Sequence, residues 1–346
     1  MSDGNVSASV RALRGRLLLG FGLGLLVVLV LVMLTDLRKL ASTLETFRWE
    51  LVPLILGLTL FNYVLRFLKW HYYLGLIGVR GIRLSHSVAI FLSGLTMAMT
   101  PGKVGELLKS VLLRRVAGTP VSVSAPVVMA ERLTDGVALI VLSLGGLYLF
   151  HVGGAMLGLI ALGAALLVFV FVTESGRSLT MALAGMVPFV RERTHHVVAL
   201  YESSRRLLAP RPLLLAVAIG IISWSGECLA FFLVLAGLGE EASWRLLVTA
   251  AFVLGASTLL GSASLMPGGL GVADASVTGL LLLVMPGAVT VPEAVAATLL
   301  IRFCTLWFGA LVGVVTLLAT RRMFEGGAPE VEDSLENSRT ISDILS

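Results

Sequence analysis

A chain of 346 residues that is 57% hydrophobic and only 14% charged, with a mean hydropathy of +0.97, carries more apolar surface than a soluble core can enclose. This composition excludes a soluble globular domain and indicates an integral membrane protein. The formal charge of +5, from 26 basic and 21 acidic residues, then reads as membrane orientation, and no nucleic-acid module is recognisable.

In chain order, residues 1–16 hold Arg11, Arg14 and Arg16 and are expected to form a cytoplasmic N-terminus. The apolar run 17–34 lacks a small-x-small cleavage pattern, so it is read as a retained, slightly short signal anchor. Five longer apolar runs follow, at 51–78, 125–150, 154–173, 212–238 and 292–320, each meeting the roughly 20 residues that a spanning helix needs. In the first of them, LFNYVLRFLKWHYYL, the residues Asn62, Arg66 and Lys69 share one helical face. A charge at the bilayer centre costs about 2.5–3.5 kcal/mol on insertion scales, so Arg66 is a candidate functional residue. Lys69 with the aromatic run Trp70–Tyr73 reads equally as a snorkelling interfacial anchor.

Two stretches interrupt the apolar pattern in the same way. AMTPGKVGELLK (98–109) contains Pro101, Gly102 and Gly105, and SLMPGGLGVADA (264–275) contains Pro267, Gly268 and Gly271. Proline has no N–H and glycine tolerates positive φ, so each PGxxG motif ends one half-helix and permits a tight restart. The freed backbone groups must line protein or water rather than lipid, and the restarting helix offers its N–H groups to an anion. Lys103 in the first loop suits an anionic headgroup. Glu106 and Lys109 stand at i, i+3, where they can pair with one another, and Lys109, Arg114 and Arg115 fit the polar face of an interfacial helix. Gly269 and Asp274 complete the second loop, where Asp274 reads either as a site carboxylate or as a local cap.

The segments after each loop carry the remaining buried charges. AERLTD places Glu131, Arg132 and Asp135 at the start of 125–150, and LIRFCTL places Arg302 in 292–320. Glu227, in SWSGECLAFF, and Asp274 are the acidic groups available to neutralise Arg302 or to carry a proton. An ion-pair cluster that only fixes helix packing remains the plainer reading of Glu131, Arg132 and Asp135. Cys228 and Cys304 lie in apolar runs without ligand spacing, and no catalytic motif, metal site or cofactor site is recognisable.

With the N-terminus inside and both loops entering and leaving on one side, only Arg38, Lys39, Arg48 and Arg245 fall outside. Arg66, Lys69, Arg132 and Arg302 fall within spans, and the other 18 basic residues are cytoplasmic, as the positive-inside rule requires. This arrangement makes 51–150 and 212–320 the same three-part unit in opposite orientation, joined by an amphipathic cytoplasmic linker at 174–211. The expected fold is an all-α polytopic membrane domain over 17–320. It comprises two inverted-topology repeats, each with a re-entrant broken-helix hairpin, and about six full spans plus two hairpins. Residues 321–346 form a polar, cytoplasmic, disordered tail. Interrupted helices in inverted repeats are the architecture by which transporters bind near the midplane and alternate access.

PGKVGELLKSVLLRR, the downstream AERLTD and MPGGLGVAD together resemble the transmembrane region of the lysylphosphatidylglycerol synthase family, the flippase part of the multiple peptide resistance factors. The resemblance spans about 15–320 and implies two inverted repeats that move anionic or aminoacylated phospholipids between leaflets. Lys103 stands where that family often has arginine, and Asp274 where it often has glutamate. About 25 residues follow the last span in place of the aminoacyltransferase domain of full synthases, so a translocator rather than an enzyme is expected. The resemblance implies a membrane phospholipid as substrate, with a homo-oligomer or a lipid-modifying enzyme as further partners, in the bacterial inner membrane. A non-transporting scaffold for a lipid-modifying or glycosyl-transferring enzyme is the alternative.

Overall fold

The computed structural model describes residues 35–96, 107–173, 194–264 and 266–325, with scattered positions at 22–33 and 175–178. All regular structure among them is helical. The element order is α1 (Leu37–Thr46), α2 (Val52–Leu76), α3 (Leu84–Leu95), α4 (Leu108–Ala117), α5 (Val121–Phe150), α6 (Gly154–Val172), α7 (Thr194–Leu207), α8 (Pro210–Gly237), α9 (Trp244–Ala263), α10 (Val272–Val284), α11 (Val291–Arg302), α12 (Phe308–Ala319) and α13 (Arg321–Glu325). A π-turn, Phe303–Trp307, joins α11 to α12 without ending the helix.

Five helices are long and apolar enough to cross a bilayer: Trp49–Leu76, Val121–Phe150, Pro210–Gly237, Trp244–Ala263 and Val291–Ala319. Three are shorter and apolar: Leu84–Leu95, Gly158–Val170 within α6, and Val272–Val284. The run 154–173 forms a helix, Gly154–Val172. One difference from the sequence reading stands out: α9, read as one arm of the second re-entrant hairpin, reaches spanning length. Its helix continues for 20 residues from Trp244, with Arg245 at its start as the one charge, and the turn Pro267–Gly269 follows. The expected anchor at 17–34 lies largely outside the described residues, and most of the tail lies wholly outside them.

Helix ends follow local chemistry. Proline occupies the first turn of α2, α8 and α11, where its missing N–H costs nothing. The Ser243 hydroxyl caps α9 by accepting from the Leu246 N–H at 3.2 Å, and Glu293 closes a capping box on Thr290 at 2.7 Å. Gly118, with φ of 67°, ends α4 in the left-handed region.

The helices pack through two buried clusters. One joins α5, α8, α9, α10 and α11 around Phe231, Phe252, Val253, Leu281 and Ile301. The other joins α2, α3, α4 and α5 around Trp70, Tyr73, Ile90, Phe91 and Leu113. Lipid solvates apolar side chains as well as a core does, so close helix contact depends on small residues and polar links. Gly146 leaves the space that the Phe252 ring enters. Asn62 of α2 donates to the Ser223 carbonyl of α8 at 3.1 Å, and the Ser223 hydroxyl donates back to the Asn62 carbonyl at 3.3 Å. Phe303, Leu311, Val315 and Leu318 remain exposed, as lipid-facing residues do.

Candidate functional site

The second PGG turn is built from backbone that only glycine adopts freely. Gly268, Gly269 and Gly271 have φ of 60°, 68° and 80°. The turn also lies directly against α9, because a Cβ on Gly269 would stand 3.1 Å from the Gly261 Cα. Glycine on both sides lets two backbones meet at this crossing.

The restart of α10 is held by Asp274. One oxygen accepts from the Gly271 N–H at 2.8 Å, and the other accepts from Arg302 Nε at 2.6 Å. Asp274 therefore performs both roles open to it, capping α10 and neutralising Arg302. Arg302 is the last residue of α11, so this pair ties the restarted helix to the π-turn.

A second set of charges centres on α5. Lys69 of α2 donates to Asp135, and its Nζ also lies 3.3 Å from the Thr134 hydroxyl. The other Asp135 oxygen faces Arg132 at 3.5 Å and Arg66 at 3.9 Å, distances longer than a direct hydrogen bond. One turn earlier, Glu131 accepts from Lys109 of α4 at 2.5 Å. The Lys109 ammonium lies 4.7 Å from the centre of the Trp70 ring and 5.4 Å from that of Phe91, both cation–π distances. Its stem passes over Gly94, where a Cβ would stand 2.5 Å from Lys109 Cγ. Lys69, Lys109, Glu131 and Asp135 are all buried.

The two charge systems border one hollow among the helices. A cavity of about 130 Å³ is lined by Arg66, Lys109, Arg132, Glu227, Arg302, Gly268 and Gly269, with Tyr63 and Trp224 in its wall. A second hollow of about 240 Å³, lined by Asp135, Leu259 and Met266, shares Arg132, Trp224, Thr258, Gly261 and Ser262 with it. Side chains from α2, α4, α5, α8 and α11 thus converge with the PGG turn. Guanidinium groups in a hollow among helices present forked N–H donors suited to phosphate.

A family model described as Lysylphosphatidylglycerol synthase TM region matches residues 17–313. The chain belongs to this family. No curated protein matches it.

In this lysylphosphatidylglycerol synthase TM-region protein, the candidate residues divide by position. Arg66, Arg132, Glu227, Gly268, Gly269 and Arg302 line the first cavity, and Asp135 lines the second. Glu131 and Asp274 hold Lys109 and Arg302, which line the first cavity, Gly271 donates to Asp274, and Pro267 begins the turn. Pro101, Gly102, Lys103, Gly105 and Glu106 lie outside the described residues. Lys109 corrects an expectation: it is no solvated face but a buried partner of Glu131. Lys69 is likewise no snorkelling anchor, since it is buried on Asp135. Sequence reasoning also passed over Gly94, Trp224 and Tyr63.

Proposed function

We propose that the chain translocates a phospholipid with an anionic or aminoacylated headgroup between the leaflets of a bacterial inner membrane. Alternating access about two inverted repeats, 51–150 and 212–320, would expose the cavity to each side in turn. The observation that carries this reading is the convergence of Arg66, Arg132 and Arg302, from three different helices, on one hollow beside the PGG turn. Cations buried among spanning helices are costly and are kept where a substrate or a structural partner uses them. Asp135 is bound directly by Lys69, while its contacts to Arg66 and Arg132 are long. A phosphate entering the cavity can therefore draw those guanidiniums without stripping Asp135 of its partner. The acyl chains would remain in the bilayer, and Glu227, which lines the same cavity, would face a cationic extension of the headgroup.

The test uses purified protein in liposomes carrying fluorescent lipids of several headgroups, with a membrane-impermeant quencher reporting inner-leaflet protection. The wild type should redistribute an anionic lipid faster than empty liposomes do. Arg132→Ala and Arg302→Ala should each slow it roughly 10-fold or more, since a charge-assisted hydrogen bond is lost. If no lipid moves faster than in empty liposomes, with or without a proton gradient, transport is wrong. Folded variants that work at the wild-type rate would remove the phosphate site alone.

A further inference from the structure

The span Val291–Ala319 contains one irregularity, the π-turn at Phe303–Trp307. Its two sides face different neighbours. α11 packs on α10 and α1, while α12 packs on α3, the helix that leads toward the first Pro-Gly stretch. A regular α-helix turns about 100° per residue, so a turn with one extra residue re-aims everything beyond it. The π-turn therefore decides how Arg302, at its leading edge, is set against α12.

Tyr63 of α2 is keyed into this turn at three points. Its hydroxyl donates to the Thr305 carbonyl at 2.8 Å. Its ring lies parallel to that of Phe308, with centres 6.4 Å apart and an interplanar angle of 12°. Gly309 leaves the space the hydroxyl occupies, because any Cβ there would collide with the Tyr63 oxygen. The Thr305 hydroxyl satisfies itself locally, donating to the Ile301 carbonyl at 2.7 Å. Tyr63, Arg302, Thr305 and Gly309 all line the 130 Å³ cavity.

We propose that Tyr63 is a positioning residue, whose hydroxyl clasps the π-turn through the Thr305 carbonyl and so aims Arg302 into the cavity. A π-turn exposes carbonyls that a regular helix would pair within itself, and a donor from a neighbouring helix stabilises that geometry. The clasp stands on geometry alone, and the aiming of Arg302 at a headgroup rests on the transport reading above.

The turn contains its own reporter. Cys304 is buried within it, and the chain's only other cysteine is Cys228. In a Cys228→Ala background, alkylation of Cys304 by a membrane-permeant maleimide reports opening of the turn. Tyr63→Phe keeps the ring and removes only the hydroxyl. It should speed alkylation roughly 2- to 10-fold, the equivalent of one neutral hydrogen bond. The same variant should raise the half-saturating concentration of phosphatidylglycerol in the liposome assay by a similar factor at an unchanged maximal rate, and Tyr63→Trp should not restore it. Unchanged alkylation overturns the clasp, whatever the transport result. Faster alkylation with unchanged half-saturation overturns the positioning role and leaves ordinary packing. If the wild type moves no lipid, the headgroup reading and the aiming of Arg302 fall together, and alkylation still decides the clasp.

Discussion

The charges around α5 and the pair at the second Pro-Gly turn solve the same problem differently. Around α5, three cations from two helices face Asp135, and Lys109 is held by Glu131 and two aromatic rings. At the second turn, one carboxylate serves one arginine while capping its own helix. The first arrangement links α2, α4 and α5 through buried charges. The second joins α10 to α11 through a single pair, and its Arg302 side chain keeps 19% exposure. Lys69, Lys109, Glu131 and Asp135 are deeply buried and lock the bundle, whereas the guanidiniums of Arg132 and Arg302, at 24% and 19% exposure, keep access to the cavity.

Breaking the α5 system should have the largest effect. Asp135→Asn keeps the shape but leaves Lys69, Arg66 and Arg132 facing a neutral amide, a loss of about 3–5 kcal/mol on the scale of a broken buried pair. Thermal unfolding in detergent should show a marked drop, and a wild-type melting profile would refute the view that Asp135 is structurally indispensable. Gly94→Ala tests the same system through packing. Its Cβ would fall on the middle of the Lys109 stem, and overpacking of this kind costs about 1–3 kcal/mol. A melting temperature equal to wild type would mean that Lys109 has another route to Glu131.

The second pair should show the reverse balance. Asp274→Asn keeps an oxygen for the Gly271 N–H and removes the charge facing Arg302, so the loss of stability should be about 1.5–3 kcal/mol, the scale of one charge-assisted hydrogen bond. Transport should nevertheless change more than in any stability-matched variant of the core. If Asp274→Asn melts as low as Asp135→Asn, the contrast between the locking and the accessible pair collapses.

Much of this was legible because bilayer chemistry is severe. Apolar runs of spanning length marked the helices Val52–Leu76, Val121–Phe150 and Pro210–Gly237 and the span Val291–Ala319, and Pro267–Gly271 marked the break before α10. The motif combination led to the family that the chain belongs to. Pairings were less legible. Lys109 stands three residues from Glu106 in the sequence, yet it binds Glu131, 22 residues away on another helix. Spacing along one helix can propose only local partners, and Gly94 carries no sign that its missing side chain is the channel for a lysine. The π-turn left no mark either, because FCTLW reads as ordinary apolar helix.

The sequence by itself determined that this chain lives in a membrane, that a helix breaks at Pro267–Gly271, and that Arg66, Glu131, Arg132, Asp135 and Arg302 fall within or at the start of apolar runs. Those follow from transfer free energy and backbone chemistry, which act residue by residue. Only the tertiary structure decided which carboxylate answers which cation, that Asp274 rather than Glu227 takes Arg302 Nε, and that Tyr63 reaches Thr305. These depend on helix rotation and on glycine contacts between helices, which no single segment contains.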